Sequence, residues 1–107
     1  RGVMVRENSQ GWLENAYNLR IINKSEHEQT ITATVKGFDD IALTGLPENG
    51  IKIAPRETMT IPVQVSTLPE YAEKGSQPIE FTFTYRETDA ADAEPTVLNE
   101  KATFIGE

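Results

Sequence analysis

The sequence contains no cysteine, and this absence removes several kinds of chemistry from its 107 residues. Disulfide bonds, thiolate metal sites and cysteine nucleophiles are all excluded. A chain of this length buries enough apolar surface to fold without such cross-links. We therefore expect one domain over residues 1–107 that is held together by its hydrophobic core.

Positive charge and long apolar runs are also scarce. Ten Lys and Arg residues stand against 17 Asp and Glu residues, so the formal net charge is −7 at pH 7. Such a chain repels nucleic acids and anionic lipid surfaces, which makes nucleic acid an unfavourable partner. No apolar run approaches the ~18 residues of a membrane helix, and no secretory signal is recognisable. Because the chain begins with Arg1 rather than Met, we expect a piece of a longer protein.

What the sequence does contain is a strong period of two. Apolar residues alternate with polar ones over residues 17–22, 30–36, 58–65 and 79–86. Alternate side chains of a strand point to one face, so each segment presents one apolar and one polar face. Weaker strands are expected at 3–6, 41–46, 51–53 and 102–105. The pattern predicts an all-β, immunoglobulin-like antiparallel β-sandwich of about seven strands.

Three features interrupt this alternation. Residues 67–75 resemble a short helical crossover, in which Thr67 is placed to cap, Glu70 to lie in the first turn and Gly75 to end it. Pro62 has no backbone N–H, so its strand is expected at a sheet edge or with that side facing outwards. Residues 87–96 are polar and acidic, which predicts a loop.

His27 is the chain's single histidine. Acid–base catalysis would require a nucleophile and an orienting group beside it, and the sequence singles out neither. A metal site would require further ligands at a regular spacing. We interpret His27 as a solvated turn residue and predict no catalytic, cofactor-binding or metal-binding residue in this domain.

Acidic residues are concentrated in two turns. The 87–96 loop offers oxygen ligands for calcium, but it lacks the spacing and the glycine of a calcium-binding loop. We expect these carboxylates to be solvated: Glu87, Asp89, Asp92 and Glu94 in the loop, and Asp39 and Asp40 at a strand end.

The two methionines are potential soft ligands for Cu(I). Met59 keeps step with Ile61 and Val63, so we expect it to pack in the core. Met4 falls in the weak opening strand, where its environment is less determined by the pattern.

The aromatic residues divide into two groups. Phe81, Phe83 and Tyr85 share one face of a strand, which predicts core packing rather than a stacking platform for sugar or nucleic acid. Trp12 lies in a turn, where an exposed indole would indicate a contact site.

The N-terminal third carries a more specific pattern. It contains Arg1-Gly-Val-Met-Val-Arg-Glu-Asn and then Glu14-Asn-Ala-Tyr-Asn-Leu-Arg-Ile-Ile-Asn-Lys. This resembles the C-terminal domain of the FixG family, also called CcoG, the cytochrome c oxidase accessory protein. The resemblance is dense over residues 1–37 and thin from 66 onward, although Gly37 and Ile61-Pro62-Val63 also fit. The matching positions in the opening segments are Arg1, Val3, Arg6, Glu7, Glu14, Asn15, Tyr17, Leu19, Arg20, Ile21, Asn23 and Lys24.

The resemblance implies a bacterial inner-membrane parent protein with several membrane helices and a cytoplasmic iron–sulfur module. This immunoglobulin-like domain would follow the last membrane helix, lie in the periplasm and hold no cofactor itself. The parent family is associated with assembly of the haem–copper oxidase used at low oxygen and with copper reduction for its delivery. We therefore expect a noncatalytic, monomeric module that docks or positions a protein, such as an oxidase subunit or a copper chaperone.

Two other functions remain open from the sequence. A carbohydrate- or peptide-binding accessory domain of an exported protein would share this fold and size, and would use Trp12 or Tyr71. A copper-binding domain would use Met4, His27 and the acidic loop.

Overall fold

The computed structural model describes residues 5–72, 75–90 and 92–106. These residues form eight strands and one short 3₁₀ turn at Pro69–Tyr71. Their strong alternation of side chains explains why strands dominate. The strands are β1 (Val5–Glu7), β2 (Leu13–Ile22), β3 (Gln29–Lys36), β4 (Ala42–Thr44), β5 (Ile51–Ile53), β6 (Thr58–Thr67), β7 (Ser76–Glu87) and β8 (Thr96–Ile105).

The strands form two four-stranded antiparallel sheets. The first sheet has the order β1-β2-β6-β4 and the second has the order β5-β3-β7-β8. The longest ladders join β2 to β6, from Leu13↔Thr67 to Ile22↔Thr58, and β7 to β8, from Ser76↔Ile105 to Tyr85↔Thr96. This arrangement confirms the predicted immunoglobulin-like sandwich.

The core lies between the sheets and is built from the alternating apolar residues. Phe81 stacks on Phe83 with ring centroids 6.1 Å apart, and Tyr17 meets Phe81 edge-on at 5.5 Å. Because every second side chain points inwards, the polar threonines between them remain on the outer faces. The buried apolar residues are Leu13, Leu19, Ile21, Ile31, Ile53, Ile61, Val63, Val65, Ile79, Phe81, Phe83 and Phe104.

The crossover between β6 and β7 is confirmed in place but differs in detail. Its single turn ends at Tyr71, before Gly75, and residues 73–74 lie outside the described residues. The prediction that Thr67 caps the turn is wrong, because pairing with Leu13 holds Thr67 extended at the end of β6. The Thr67 side chain is buried, and its hydroxyl has no hydrogen-bond partner in the described part of the chain.

Pro62 lies in β6, which is an interior strand of the first sheet. The backbone N–H of Asn23 donates to the carbonyl of Glu57 at 2.9 Å, and this pair continues the β2–β6 register. Hydrogen-bonded and non-bonded pairs alternate in antiparallel ladders, so odd-numbered β2 residues bond to β6. Pro62 faces Asn18, which exchanges no such bond. The position of the missing N–H is therefore on the side of β4, where the described ladder ends at Thr44↔Gln64 before it reaches Pro62. The second branch of the prediction, in which that side of the strand is unpaired, is the one observed.

The strand boundaries differ most at the C-terminal end. The predicted closing strand covers 102–105, whereas β8 begins at Thr96 because β7 pairs with it along its whole length. The acidic loop between them is correspondingly shorter. The opening strand is described only from Val5, since residues 1–4 lie outside the described residues. Within the described ranges, no helix is long and apolar enough to cross a membrane.

Candidate functional site

His27 lies with an exposed side chain in the turn between β2 and β3. Its backbone, rather than its imidazole, is used structurally: the carbonyl accepts hydrogen bonds from the amide of Asn23 and the hydroxyl of Ser25, both at 2.9 Å. The carboxylates Asp39, Asp40, Asp89, Asp92 and Glu94 are exposed, and Glu87 is half-buried at the end of β7. In the described ranges, no three His, Asp or Glu side chains group as metal ligands.

The sulfur and aromatic candidates fall mainly in the core. Met59 is half-buried against the core cluster, as predicted, while Met4 lies outside the described residues. Phe81 and Phe83 are 2% and 4% exposed and Tyr85 is half-buried, so these rings do not form a stacking platform. The indole of Trp12 is half-buried. Tyr71 is 39% exposed on the crossover turn.

A cleft lies between β2 of the first sheet and β8 of the second. At one end of this edge, two side chains of β2 tie the sheets together. The amide of Asn15 donates to the carbonyl of Ile105 at 3.0 Å and accepts from its N–H at 2.7 Å. The hydroxyl of Tyr17 donates to the carbonyl of Thr103 at 2.7 Å. Beyond these contacts the two strands are not joined by side-chain hydrogen bonds among the described residues.

The cleft consists of two adjoining hollows of about 710 and 580 Å³, which share Arg20 and Glu100. The larger hollow reaches down to Ile21 and Phe83. Its volume falls within the range of about 300–1,000 Å³ that is typical of ligand sites. In the described part of the chain, β1 pairs with residues 13–15 of β2, beside the end that Asn15 and Tyr17 close.

Apolar side chains are exposed along the cleft. Leu98 at the start of β8 is 51% exposed, and Ile22 at the end of β2 is 40% exposed. Leu98 pairs with the buried Phe83, so it lies on the core face of the second sheet and is nevertheless half open to solvent. A side chain on the core face of a sandwich is normally buried between the two sheets. Leu98 and Ile22 are therefore the exposed apolar side chains of the cleft lining.

The charge of the cleft differs from that of the whole domain. Arg20, Lys24 and Lys101 line the hollows together with one carboxylate, Glu100. The ion pairs found among the described residues, Arg6–Glu14, Lys36–Glu80 and Arg56–Glu26, involve none of these four. Three cations less one carboxylate leave the cleft with an excess of two positive charges, in a chain whose net charge is −7.

Two tyrosines beside the cleft have hydroxyl groups with raised pKa values. Burial raises the pKa of the Tyr17 hydroxyl to about 12 from its ordinary value of 10.0. Burial also raises the pKa of Tyr85, and the negative charge of Glu100 adds to that increase. Both hydroxyls therefore stay protonated to a higher pH than that of an exposed tyrosine.

Unpaired backbone groups border the cleft on β8. The N–H of Gly106 donates to the carbonyl of Gly75 at 2.9 Å, in continuation of the β7–β8 register. Even-numbered β8 residues consequently bond to β7, and odd-numbered residues turn their N–H and C=O groups outwards. The bonds that Asn15 and Tyr17 make to Ile105 and Thr103 agree with this alternation. Among the described residues, no strand pairs with the outward edge formed by Val97, Asn99 and Lys101.

Comparison with known proteins identifies the family. A family model described as the immunoglobulin-like fold at the C-terminus of FixG matches residues 1–107. The chain belongs to the family of FixG C-terminal domains. The description names FixG as a candidate oxidoreductase. The resemblance seen in the N-terminal third is thereby confirmed.

A solved relative supports the same fold for this FixG domain. The crystal structure of a FixG-related protein from Vibrio parahaemolyticus superposes with a TM-score of 0.68. The two chains are 22% identical, and the similarity covers 97% of this chain and 92% of the other. At that identity the likeness establishes the fold alone. No curated protein matches the chain.

The cleft is the feature that sequence reasoning missed. The stretch Thr96-Val-Leu-Asn-Glu-Lys has adjacent rather than alternating apolar residues, so it gave no strand signal. Its pairing with β7 is a tertiary property of the fold. The adjacent Val97 and Leu98 were the one available hint, because a strand places them on opposite faces and one of them must then face solvent.

Proposed function

We propose that this domain is a noncatalytic docking module of a FixG-type membrane protein that works in the periplasm. Its task is to hold a protein partner, such as an oxidase subunit or a copper chaperone, near the iron–sulfur module of the parent. The observation that carries this proposal is the cleft between β2 and β8, whose apolar lining residues Leu98 and Ile22 are 51% and 40% exposed. Exposed apolar patches rimmed by polar residues are typical of protein-binding surfaces.

The chemistry of the cleft supports binding rather than a reaction. Its lining supplies apolar surface and the fixed charges of Arg20, Lys24, Lys101 and Glu100. The hydroxyl of Ser25, at one end, is engaged with the side-chain oxygen of Asn23 and the carbonyl of His27. Redox chemistry of the parent, including the proposed reduction of copper, would take place on its other domains. The family resemblance supports the link to haem–copper oxidase assembly.

The proposal is tested in a host that depends on the parent protein. The parent is produced with and without this domain, and oxidase assembly is measured from the haem spectrum and oxygen consumption of the membranes. Equal amounts of both parent forms in the membrane serve as the control. We expect assembly to fail when the domain is absent. Normal assembly by the shortened parent would contradict a docking role.

A further inference from the structure

We infer that the cleft binds an extended segment of a partner protein, which adds as a strand to the outward edge of β8 and carries acidic side chains. This inference rests on the proposed docking function and specifies its site and its ligand. Three observations carry it: the unpaired backbone of β8, the excess of positive charge in the cleft and its exposed apolar side chains.

The backbone argument concerns the kind of occupant. Val97, Asn99 and Lys101 present N–H and C=O groups outwards over about 17 Å of strand. Only an extended polypeptide offers donors and acceptors at the matching repeat, so strand addition satisfies this edge better than a sugar or a helix does. Natural edge strands are usually protected by prolines, bulges or several charges. Here such charges are confined to Glu100 and Lys101, so the edge from Val97 to Asn99 is the part most available for pairing.

The charge argument concerns the sequence of the occupant. Arg20, Lys24 and Lys101 line the cleft and have no anionic partner in the described structure. Glu100 opposes them with a single negative charge. Complementary charge steers association and fixes the register of a bound segment. A segment with aspartate or glutamate side chains therefore fits this cleft better than a basic one.

The apolar argument concerns the side chains that face the protein. Side chains of an added strand alternate between its two faces. One set would cover Leu98, which lies on the core face of the second sheet beside Phe83. Burial of an aliphatic side chain against Leu98 contributes affinity. The expected ligand thus alternates apolar and acidic residues.

The test begins with short random peptides displayed on phage and selected on the 107-residue chain. We expect the selected peptides to alternate apolar and acidic residues, and to bind more weakly as salt is raised towards physiological strength. Arg20→Gln and Lys101→Gln should each weaken binding by about threefold, the size of one exposed charge pair. Lys52→Gln, an exposed lysine of β5 at the far edge of the second sheet, is the matched control and should leave binding unchanged.

Strand addition is tested on the peptide backbone itself. In the best peptide, alternate amides are methylated in two complementary sets, so that one set removes the donors that face β8 and the other does not. Only one of the two peptides should lose binding. Equal binding by both would contradict pairing with β8 and overturn the inference. Amide exchange at Val97, Asn99 and Lys101 should be fast in the free domain and slow in the complex.

Other outcomes separate this inference from the broader proposal. Protected amides at Val97 and Asn99 in the free chain would show that the edge is already occupied. A dimer in sedimentation that is broken by Lys101→Gln would make a second copy the occupant. If the selected peptides slow amide exchange on another surface of the domain, the docking function stands but its site is not the β8 edge. Each of these results overturns the β8 assignment, whereas normal oxidase assembly without the domain overturns the docking function.

Discussion

The amide of Asn23 is a buried connection between the two sheets, and its replacement by an isosteric acid gives a quantitative test of the fold. Its nitrogen donates to the carbonyls of His27, Ile53 and Ala54 at 2.9, 3.1 and 3.1 Å. Its oxygen accepts from the backbone N–H of Ser25 at 2.9 Å. Asn23→Asp keeps the shape of the side chain but turns a second oxygen towards those three carbonyls.

The expected loss follows from the two hydrogens of the amide. Each buried carbonyl left without a donor costs about 1–3 kcal/mol, and an unpaired buried carboxylate adds to that. We expect Asn23→Asp to lower the free energy of unfolding by about 3–5 kcal/mol, a large part of the ~5–15 kcal/mol of a typical domain. Acidification should reduce the deficit, because the folded state of the variant takes up a proton more readily than its unfolded state.

Urea unfolding followed by circular dichroism measures this difference. Asn18→Asp is the matched control, since Asn18 is exposed on the outer face of β2, the strand that ends just before Asn23. A change within about 0.5 kcal/mol is expected there. A loss below about 1 kcal/mol for Asn23→Asp would refute the reasoning, because it would mean that the three carbonyls do not depend on this amide.

Three further substitutions test other parts of the fold. Asn15→Ala removes both hydrogen bonds to the backbone of Ile105 and should lower the free energy of unfolding by about 2 kcal/mol in the same urea assay. The raised pKa of Tyr17 stabilises the folded state fully below pH 10.0, and this contribution is lost as pH rises towards about 12. Over that pH interval, the urea midpoint of Tyr17→Phe should therefore fall less steeply than that of the unchanged domain. Parallel falls of the two midpoints would contradict the raised pKa of Tyr17. Gly50 and Gly75 share positive φ values of 94° and 91°, but an added Cβ lies 2.7 Å from the Ile31 carbonyl oxygen only at Gly50. Gly50→Ala should thus be more destabilising than Gly75→Ala by about 1–2 kcal/mol, and equal losses would contradict a steric cause.

The sandwich was predictable because its long strands alternate without interruption. The period of two in β6 and β7 places Ile61, Phe81 and Phe83 on inner faces, and all three are buried. The family resemblance likewise marked Asn15 and Asn23. Their roles as buried amides that join distant backbone segments depend on contacts 30 to 90 residues apart, which no local pattern encodes.

The cleft was not predictable for a related reason. It lies between β2 and β8, and β8 continues to Thr96 because β7 pairs with it there. Strand lengths of this kind are set by pairing between segments and not by propensity within one segment. Leu98 illustrates the point, since it lies on the core face and is still 51% exposed. Only the three-dimensional arrangement shows that a face is uncovered.

The most direct test of the docking surface is light-induced cross-linking in the whole parent protein. A photoreactive amino acid replaces Leu98 in the cleft or, as the control, the exposed Thr34 on the outer face of β3. We predict a discrete cross-linked product from position 98 alone, which the peptide selected on the isolated domain suppresses. Equal products from both positions, or a product at position 98 that the peptide does not reduce, would contradict the cleft as the docking surface.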